Sequence, residues 1–160
     1  MARIAILTTS DKGAAGERID VSGDLIADLC LKAGHELATR ALVPDERPAI
    51  SAILAEWCDA NGADVVITTG GTGLTARDVT PEATRDIAER DVPGIPIALA
   101  VEGLRQTPYA ALTRGIAVTR GRTLIVNLPG SPKAVAEGLA VLLPLLPHIT
   151  ELLAGAVEHS

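Results

Sequence analysis

The stretch DVVITTGGTGLTARDVTPEAT, residues 64–84, carries the clearest strand, loop and helix pattern of this chain. Its first six residues, 64–69, are mostly branched and apolar, which predicts a buried β-strand. A loop of eleven residues, 70–80, follows and opens with the sequence GGTG. The tripeptide Thr-Pro-Glu at 80–82 then supplies an N-cap, a first-turn proline and a first-turn acid. We therefore expect a helix from this point to Arg90.

Strand and helix patterns alternate along the rest of the chain. The expected strands are residues 3–9 and 35–43 and a hairpin of 116–119 with 123–126; the expected helices are 22–33, 48–60, a short one opened by Thr107 and Pro108, and a closing region that begins at Ser131 and is interrupted at Pro144 and Pro147. Apolar strands that alternate with helices are typical of a parallel sheet covered on both faces. We therefore expect residues 1–160 to form one domain with an α/β fold: three layers, a mainly parallel sheet with helices on both faces, and one antiparallel hairpin element.

Composition argues against several classes of function. The 160 residues carry 14 Lys and Arg against 20 Asp and Glu, a net charge of −6, with one Trp, one Tyr and no Phe. A nucleic-acid-binding surface needs basic patches and stacking aromatics, so no nucleic-acid partner is expected. No apolar run approaches the roughly 18 residues of a membrane span and no signal-peptide pattern is present, so we expect no membrane association. Cys30 and Cys58 lie in apolar helical patterns and are expected to be buried free thiols of a cytoplasmic protein.

Four loops are expected to meet at one edge of the sheet. They follow predicted strands and span residues 10–23, 44–47, 70–80 and 127–133. In sheets of this kind the ligand binds outside the carboxyl ends of the strands, where such loops lie together. The sequence therefore places the functional site at that edge.

The glycine-rich loop is the first candidate for binding a ligand. Glycine lets a ligand approach the backbone, so that successive N–H groups can point at a phosphate. The loop is not a P-loop, since no Gly-Lys-Ser/Thr follows, and the helix that a dinucleotide fingerprint requires at its glycines is delayed to residue 80. A plain tight turn is the alternative interpretation. The candidate phosphate-binding residues are Thr69, Gly70, Gly71, Thr72 and Gly73.

Two acids are candidates for catalysis and for a metal site. Asp45 follows the end of one predicted strand, and Asp78 lies in the glycine-rich loop two residues before the expected helix cap. Magnesium is typically held by one or two carboxylates, water and substrate phosphate oxygens, so two acids beside a phosphate loop suit Mg²⁺. The alternative for Asp45 is an Asx turn or a helix-entry acid. For Asp78 it is a salt bridge to Arg77 or Arg85.

The sequence Pro-Gly-Ser-Pro-Lys at residues 129–133 is a second candidate anion site. It joins a strand to a helix whose first N–H groups are free, and Lys133 opposes the helix dipole unless an anion is nearby. A structural capping turn explains Ser131 and Pro132 equally well. We predict that Pro129, Gly130, Ser131 and Lys133 bind phosphate. Weaker candidates for substrate binding, which a solvated loop with a helix cap explains better, are Ser10, Asp11, Asp20, Ser22 and Gly23.

Three blocks of the sequence together resemble the molybdenum-cofactor biosynthesis proteins. They are TTGGTG followed after three residues by RDVTPEAT (68–84), VPDE (43–46) and LIVNLPGSPKA (124–134), of which RDVTPEAT is highly specific. The similarity is to molybdopterin adenylyltransferases, which include the bacterial Mog and MoaB-type proteins and the G domain of gephyrin. It runs from Ile4 to about Leu153. The chain differs from the family at residues 113–115, which are Thr-Arg-Gly where Ser-Arg-Ala is frequent.

The resemblance implies an α/β protein that forms a homotrimer and transfers AMP from Mg·ATP to the terminal phosphate of molybdopterin, releasing pyrophosphate. It also implies that Asp45 and Asp78 are the essential carboxylates and that the glycine-rich loop and the turn at 129–131 hold phosphates. A molybdate-inserting protein of the same pathway is a further implied partner. Two other functions stay open, a non-catalytic molybdopterin-binding or scaffold module and a CinA-like nucleotide hydrolase.

Overall fold

The computed structural model describes residues 1–155, so the last five residues of the expected domain lie outside the described part. Six strands and seven α-helices alternate along these residues. The strands are β1 (Arg3–Thr9), β2 (Glu36–Val43), β3 (Val65–Thr69), β4 (Arg90–Asp91), β5 (Ala117–Arg120) and β6 (Thr123–Leu128). The helices are α1 (Asp11–Ala14), α2 (Val21–Lys32), α3 (Arg47–Asp59), α4 (Thr80–Asp86), α5 (Gly94–Gln106), α6 (Pro132–Leu142) and α7 (Leu146–Leu153). Two 3-10 segments occupy Pro108–Leu112 and Leu143–Leu145.

The strands form one sheet in the order β2-β1-β3-β6-β5-β4. Strands β2, β1, β3 and β6 are parallel, whereas β5 pairs antiparallel with β6 and β4 pairs antiparallel with β5. The hairpin between β5 and β6 turns at Gly121, whose φ is +57°. The mainly parallel sheet and its antiparallel element, both predicted from the sequence, are confirmed. Because the four parallel strands point the same way, the loops that follow them lie at one edge.

The central strands are buried on both faces. In β1, Ile6 packs with α2 and α6 on one side of the sheet, and Leu7 packs with α3 on the other. This arrangement gives the three layers that the apolar strands predict. Cys30 and Cys58 lie in opposite layers as buried free thiols, which also confirms a prediction. Burial raises the pKa of each thiol to about 11.

The helix after the glycine-rich loop is shorter than predicted. It ends at Asp86 rather than at Arg90, because the chain next pairs with the sheet, and the N–H of Val92 donates to the carbonyl of Ala117. Arg90 and Asp91 therefore form the edge strand β4, which the sequence pattern did not reveal.

The beginning of α4 also differs from the prediction. Val79, not Thr80, takes the N-cap position, and no side chain caps the helix. The Thr80 hydroxyl instead forms a buried hydrogen bond of 3.0 Å with the hydroxyl of Thr9. A tertiary partner therefore replaces the local capping bond that the sequence indicated.

Two predicted segments differ in detail from the structure. The segment 10–23 contains α1 and already enters α2 at Val21. The short helix after Thr107 is a 3-10 segment, and the Thr107 hydroxyl accepts from the N–H of Tyr109.

The closing helical region is interrupted at the 3-10 segment Leu143–Leu145, which contains Pro144, as predicted. The interruption predicted at Pro147 is wrong, because this residue lies in the first turn of α7, where proline fits. Within residues 1–155, this region, Pro132–Leu153, is long and apolar enough by length and composition to cross a membrane, so the expectation that no such segment exists is wrong. Four of its side chains are fully buried against the sheet: Val135, Leu139, Leu142 and Leu146. Core packing accounts for the apolar character of these positions.

Candidate functional site

A cleft of about 810 Å³ opens at the carboxyl edge of the parallel strands. All four loops that the sequence placed there contribute to its walls. Its volume lies in the range of small-molecule sites. The predicted residues that line it are Ser10, Asp20, Ser22, Asp45, Thr69, Gly70, Gly71, Thr72, Gly73, Asp78, Pro129, Gly130 and Ser131.

The glycine-rich loop adopts a conformation that requires glycine at two positions. Gly70 and Gly71 have φ values of +95° and +67°. A Cβ on Gly71 would overlap the Thr80 hydroxyl and would lie 3.1 Å from Oδ1 of Asp45. The backbone at Gly71 therefore packs against Thr80 more closely than any side chain would allow and brings the loop close to Asp45, so the loop is more than a plain tight turn.

Asp45 is anchored by the neighbouring loop and keeps one oxygen free. Its Oδ2 accepts from the N–H of Asp11 at 3.0 Å, and its own N–H donates to Oδ1 of Asp11 at 2.9 Å. Its Oδ1 is buried and has no hydrogen-bond partner among the described residues. Asp45 does not cap α3, since Glu46 takes that position. The helix-entry interpretation of Asp45 is therefore wrong.

Asp78 is anchored within the glycine-rich loop itself. Its Oδ2 accepts from the N–H of Thr75 at 2.9 Å and from the Thr75 hydroxyl at 2.8 Å. A Cβ on Gly73 would lie 2.9 Å from that oxygen. The suggested salt bridges are not formed, because Arg77 pairs with Asp11 and Glu46 while Arg85 pairs with Asp91.

The charges of the cleft affect the two acids of the Asp11–Asp45 pair in opposite directions. Burial raises the pKa of Asp45, and the negative charges of Asp11 and Asp78 raise it further. The Arg77 guanidinium, which binds both carboxylate oxygens of Asp11 at 2.9 Å, lowers the pKa of Asp11. A cation bound beside Asp45 and Asp78 would therefore reduce the repulsion between these acids and an incoming anion.

The donor atoms present fit a magnesium ion that arrives with a phosphate ligand. Asp45 offers a buried oxygen that has no partner in the described part of the chain, and Asp78 lines the same cleft. Among residues 1–155, no cluster of three or more metal-ligating side chains exists, so substrate oxygens and water would complete the shell.

The turn at residues 129–131 is fixed to the rest of the cleft through its carbonyl groups. Ser22 donates to the carbonyl of Gly130 at 2.6 Å, and Thr69 donates to the carbonyl of Pro129 at 2.8 Å. Ser131 caps α6 by accepting from the N–H of Ala134. The turn approaches the glycine-rich loop, since a Cβ on Gly130 would lie 3.5 Å from Cα of Gly70. Because Pro132 has no N–H and that of Ala134 is capped, the first-turn N–H without an acceptor among residues 1–155 is that of Lys133.

Three of the predicted residues do not line the cleft. Asp11 faces Arg77 behind Asp45, and Gly23 is buried where its N–H donates to Asp20. Lys133 lies in the first turn of α6 with an exposed side chain. Contact of these residues with a substrate stays a prediction.

Comparison with known proteins identifies the family. Residues 5–148 match the family model described as a probable molybdopterin binding domain. The chain belongs to this family. The crystal structure of the molybdopterin biosynthesis enzyme MoaB from Thermus thermophilus is 51% identical, with a TM-score of 0.91 over 97% of this chain and 98% of that chain.

Two curated relatives of this family member differ in length. A molybdopterin adenylyltransferase of Helicobacter pylori is 36% identical over 95% of this chain and 88% of its own length. The molybdenum cofactor synthesis protein cinnamon of Drosophila melanogaster is 41% identical over 96% of this chain and 26% of its own length. The chain therefore spans about a quarter of cinnamon but most of the bacterial relative.

Arg114 is a site residue of this family member that its sequence pattern did not single out. Its N–H donates to the carbonyl of Thr72, and its guanidinium donates to the carbonyls of Gly73 and Asp78, each at 2.8 Å, and to Glu82. Arg114 therefore holds the glycine-rich loop from outside. The one feature of the sequence that pointed to Arg114 was the Thr-Arg-Gly block at residues 113–115, and it was noticed only because it differs from the family pattern.

Thr9 and Thr113 are two further residues of the cleft that were missed. Thr9 ends β1, and its hydroxyl hydrogen bonds to that of Thr80 and would lie 2.9 Å from a Cβ on Gly71. Thr113 hydrogen bonds to Thr72 at 3.4 Å. Thr9 lies in a predicted strand, and Thr113 lies in the block that differs from the family, so no spacing rule marked either as a functional side chain.

Proposed function

We propose that this chain is a molybdopterin adenylyltransferase that transfers AMP from Mg·ATP to the terminal phosphate of molybdopterin and releases pyrophosphate. The observation that carries the proposal is the convergence of the glycine-rich loop, Asp45 and Asp78 in one cleft of about 810 Å³. Family membership and the name of the Helicobacter pylori relative support the same reaction.

The reaction joins a phosphate oxygen of molybdopterin to the α-phosphorus of ATP while the bond from that phosphorus to the pyrophosphate oxygen breaks. No nucleophilic side chain is needed, because positioning and electrostatic stabilisation dominate such transfers. The N–H groups of residues 71–73 and that of Lys133, in the first turn of α6, would bind the phosphates, since none of them has an acceptor among residues 1–155. Ser22 and Thr69 would not contact the phosphates themselves but would hold the turn at residues 129–131 in position.

Asp45 and Asp78 would hold Mg²⁺, each through the carboxylate oxygen that no described residue occupies. The ion supplies charge neutralisation for the leaving pyrophosphate. Without it, two carboxylates and a triphosphate would repel one another in the cleft.

The proposed assembly is a homotrimer. Ile97, Val101 and Leu104 follow one another at i, i+4 and i+7 on α5, with exposed fractions of 62%, 52% and 49%. Such a stripe is more apolar than an isolated surface helix requires and suits contact with a second copy. The buried free thiols suit a cytoplasmic enzyme, and a molybdate-inserting protein would consume the adenylylated product.

Pyrophosphate release tests the proposed reaction. The purified chain is given Mg·ATP with and without molybdopterin, and we expect pyrophosphate only when both are present. A non-catalytic binding or scaffold module would release none. A nucleotide hydrolase would consume ATP without the pterin, so each rival has its own result.

A further inference from the structure

Arg77 lies next to Asp78 in the glycine-rich loop, but its side chain reaches out of that loop. The guanidinium binds the carboxylate of Asp11 through two nitrogens, Nε to Oδ2 and Nη2 to Oδ1, both at 2.9 Å. Its Nη2 also donates to Oε1 of Glu46 at 2.9 Å. Asp11 follows β1, and Glu46 follows β2 directly after Asp45. The side chain of Arg77 therefore joins the loop that carries Asp78 to the loop that carries Asp45.

This connection has no substitute in the described part of the chain. Among residues 1–155, no other hydrogen bond or ion pair joins residues 74–78 to the loops after β1 and β2. Arg114 also holds this part of the glycine-rich loop, but the carbonyls that it binds belong to the loop itself. The position of Asp78 relative to Asp45 therefore depends on Arg77.

Asp11 transmits the hold of Arg77 to the carboxylate of Asp45. The Asp11 Oδ1 that accepts from Arg77 also accepts from the N–H of Asp45, at 2.9 Å. In return, the N–H of Asp11 donates to Oδ2 of Asp45 at 3.0 Å. The other oxygen of Asp45, Oδ1, is buried and has no partner among the described residues. Arg77 therefore orients, through one intermediate residue, the carboxylate whose remaining oxygen is available to a cation.

We propose that Arg77 is a positioning residue that sets the separation of Asp45 and Asp78 for the divalent cation that accompanies the nucleotide. The inference rests on the metal site of the proposed function. Arg77 itself does not line the cleft, so it acts through Asp11 and through the loop that it shares with Asp78. Removal of a group that orients metal ligands in this way typically costs about 10–100-fold in metal affinity.

Charge and position predict opposite effects of removing Arg77. Loss of a positive charge near a cation site strengthens cation binding, because the remaining acids attract the cation without opposition. Loss of the positioning contact weakens cation binding, because the two carboxylates no longer keep the separation that the ion requires. The direction of the change in cation affinity therefore distinguishes the two roles.

Binding of Mn²⁺ tests this inference without turnover. Mn²⁺ prefers the same oxygen ligands as Mg²⁺, and the relaxation rate of water protons reports the Mn²⁺ that the chain holds. The nucleotide is α,β-methylene-ATP, from which pyrophosphate cannot leave. We expect Arg77→Gln to bind Mn²⁺ about tenfold more weakly than the unmodified chain. Arg77→Lys keeps the charge but loses the planar fork, so its affinity for Mn²⁺ should fall as well.

Arg120→Gln is the matched control. The Arg120 guanidinium likewise binds one carboxylate, that of Asp59, through two nitrogens, at 2.9 and 3.0 Å. Arg120 pairs with Thr123 at the start of β6, so it lies at the sheet edge opposite the cleft. This variant loses the same charge and the same type of ion pair, and its affinity for Mn²⁺ should equal that of the unmodified chain.

A double-mutant cycle tests the route through Asp11. In the Asp11→Ala chain, Arg77→Gln should weaken Mn²⁺ binding no further, because the residue that transmits its effect is absent. Two losses that add would overturn this route. Raising the Mg²⁺ concentration should restore pyrophosphate release in Arg77→Gln, since the ligands themselves are intact, whereas Asp45→Asn should not recover.

The inference and the proposed function fail in different ways. Unchanged or tighter Mn²⁺ binding in Arg77→Gln would overturn the inference, even if pyrophosphate release showed the chain to be a transferase. Conversely, Mn²⁺ binding that depends on Arg77 in a chain without transferase activity would keep the inference and overturn the reaction. An unmodified chain that binds no Mn²⁺ with the nucleotide would overturn both the inference and the proposed metal site.

Discussion

The N–H of Asp11 donates to the carboxylate of Asp45, and the N–H of Asp45 donates to the carboxylate of Asp11. This reciprocal pair joins the loops after β1 and β2. Arg77 then connects the glycine-rich loop to both of them through Asp11 and Glu46. Three loops are therefore held in place before any ligand binds, and the cost of ordering them is not taken from the binding energy of the substrate.

Asp45→Asn should separate stability from activity. The buried, unpartnered Oδ1 and the raised pKa both mean that the folded chain disfavours the carboxylate, so the neutral amide should leave the thermal midpoint at pH 7 unchanged or higher. We expect AMP transfer, measured as pyrophosphate release, to fall by about a hundredfold or more.

Asp28→Asn is the control for Asp45→Asn. Asp28 is exposed on α2 and pairs only with Lys32, so its loss should leave both the midpoint and the transfer rate close to those of the unmodified chain. Unchanged transfer in Asp45→Asn would remove Asp45 from the catalytic machinery.

Gly71→Ala should destabilise the fold through two effects, the strain of a positive φ and the overlap of the new Cβ with Thr80. Both Gly71 and Gly16 have positive φ, but a Cβ on Gly71 overlaps Thr80 whereas a Cβ on Gly16 meets nothing within 4 Å. We expect Gly16→Ala to lower the free energy of unfolding by about 1 kcal/mol and Gly71→Ala by about 3 kcal/mol. Urea unfolding measures both, and equal losses would contradict the close approach.

Arg114→Lys should loosen the glycine-rich loop. Lysine lacks the planar fork whose separate nitrogens reach the carbonyls of Gly73 and Asp78, so transfer should drop by about tenfold and the free energy of unfolding by about 1–2 kcal/mol. Arg105→Lys, at an exposed pair with Glu102, serves as the comparison in the same assays. Full activity in Arg114→Lys would mean that the loop holds its shape unaided.

Val101→Glu should break the proposed homotrimer. A charge in the middle of the apolar stripe on α5 opposes its burial against a second copy. Leu31→Glu on α2 is matched in exposure, 53% against 52%, and should not change the assembly. Light scattering after gel filtration gives the mass of each variant. A trimer that survives Val101→Glu would place the contact elsewhere, and a monomeric unmodified chain would end the proposal.

Stability should fall on acidification through His35. The N–H of Ala2 donates to Nδ1 of this buried ring at 3.1 Å, and burial, followed by the nearby amino terminus, lowers the pKa of His35 below 6.5. Because the pKa of His35 is lower in the folded chain than in the unfolded chain, the neutral ring contributes its full stability above about pH 6.5. This stability is lost as the pH falls through the pKa of the folded chain.

His35→Gln should reduce that pH dependence. Urea unfolding at pH 8 and pH 5 gives the change in the free energy of unfolding for both chains, and the difference between them isolates the histidine. An equal loss on acidification in the variant would assign the dependence to other groups.

Local pattern was enough to predict most of the fold and the edge that carries the site. Branched apolar runs such as β3 admit one interpretation, and parallel strands bring the loops that follow them to a single edge. The glycines at 70 and 71 were identified for the same local reason, because their positive φ values need glycine. The blocks around Asp45 and Asp78 indicated the family, which the comparison confirmed.

The hydrogen bonds between side chains and backbone groups of separate loops could be known only from the tertiary structure. Arg114 reaches the carbonyl of Gly73 across 41 positions of sequence, and Asp11 reaches Asp45 across 34. The edge strand at Arg90 and the role of Thr80 depend likewise on partners from distant strands. Periodicity and capping rules describe neighbours along the chain, whereas these contacts exist only after the sheet has brought separate loops together.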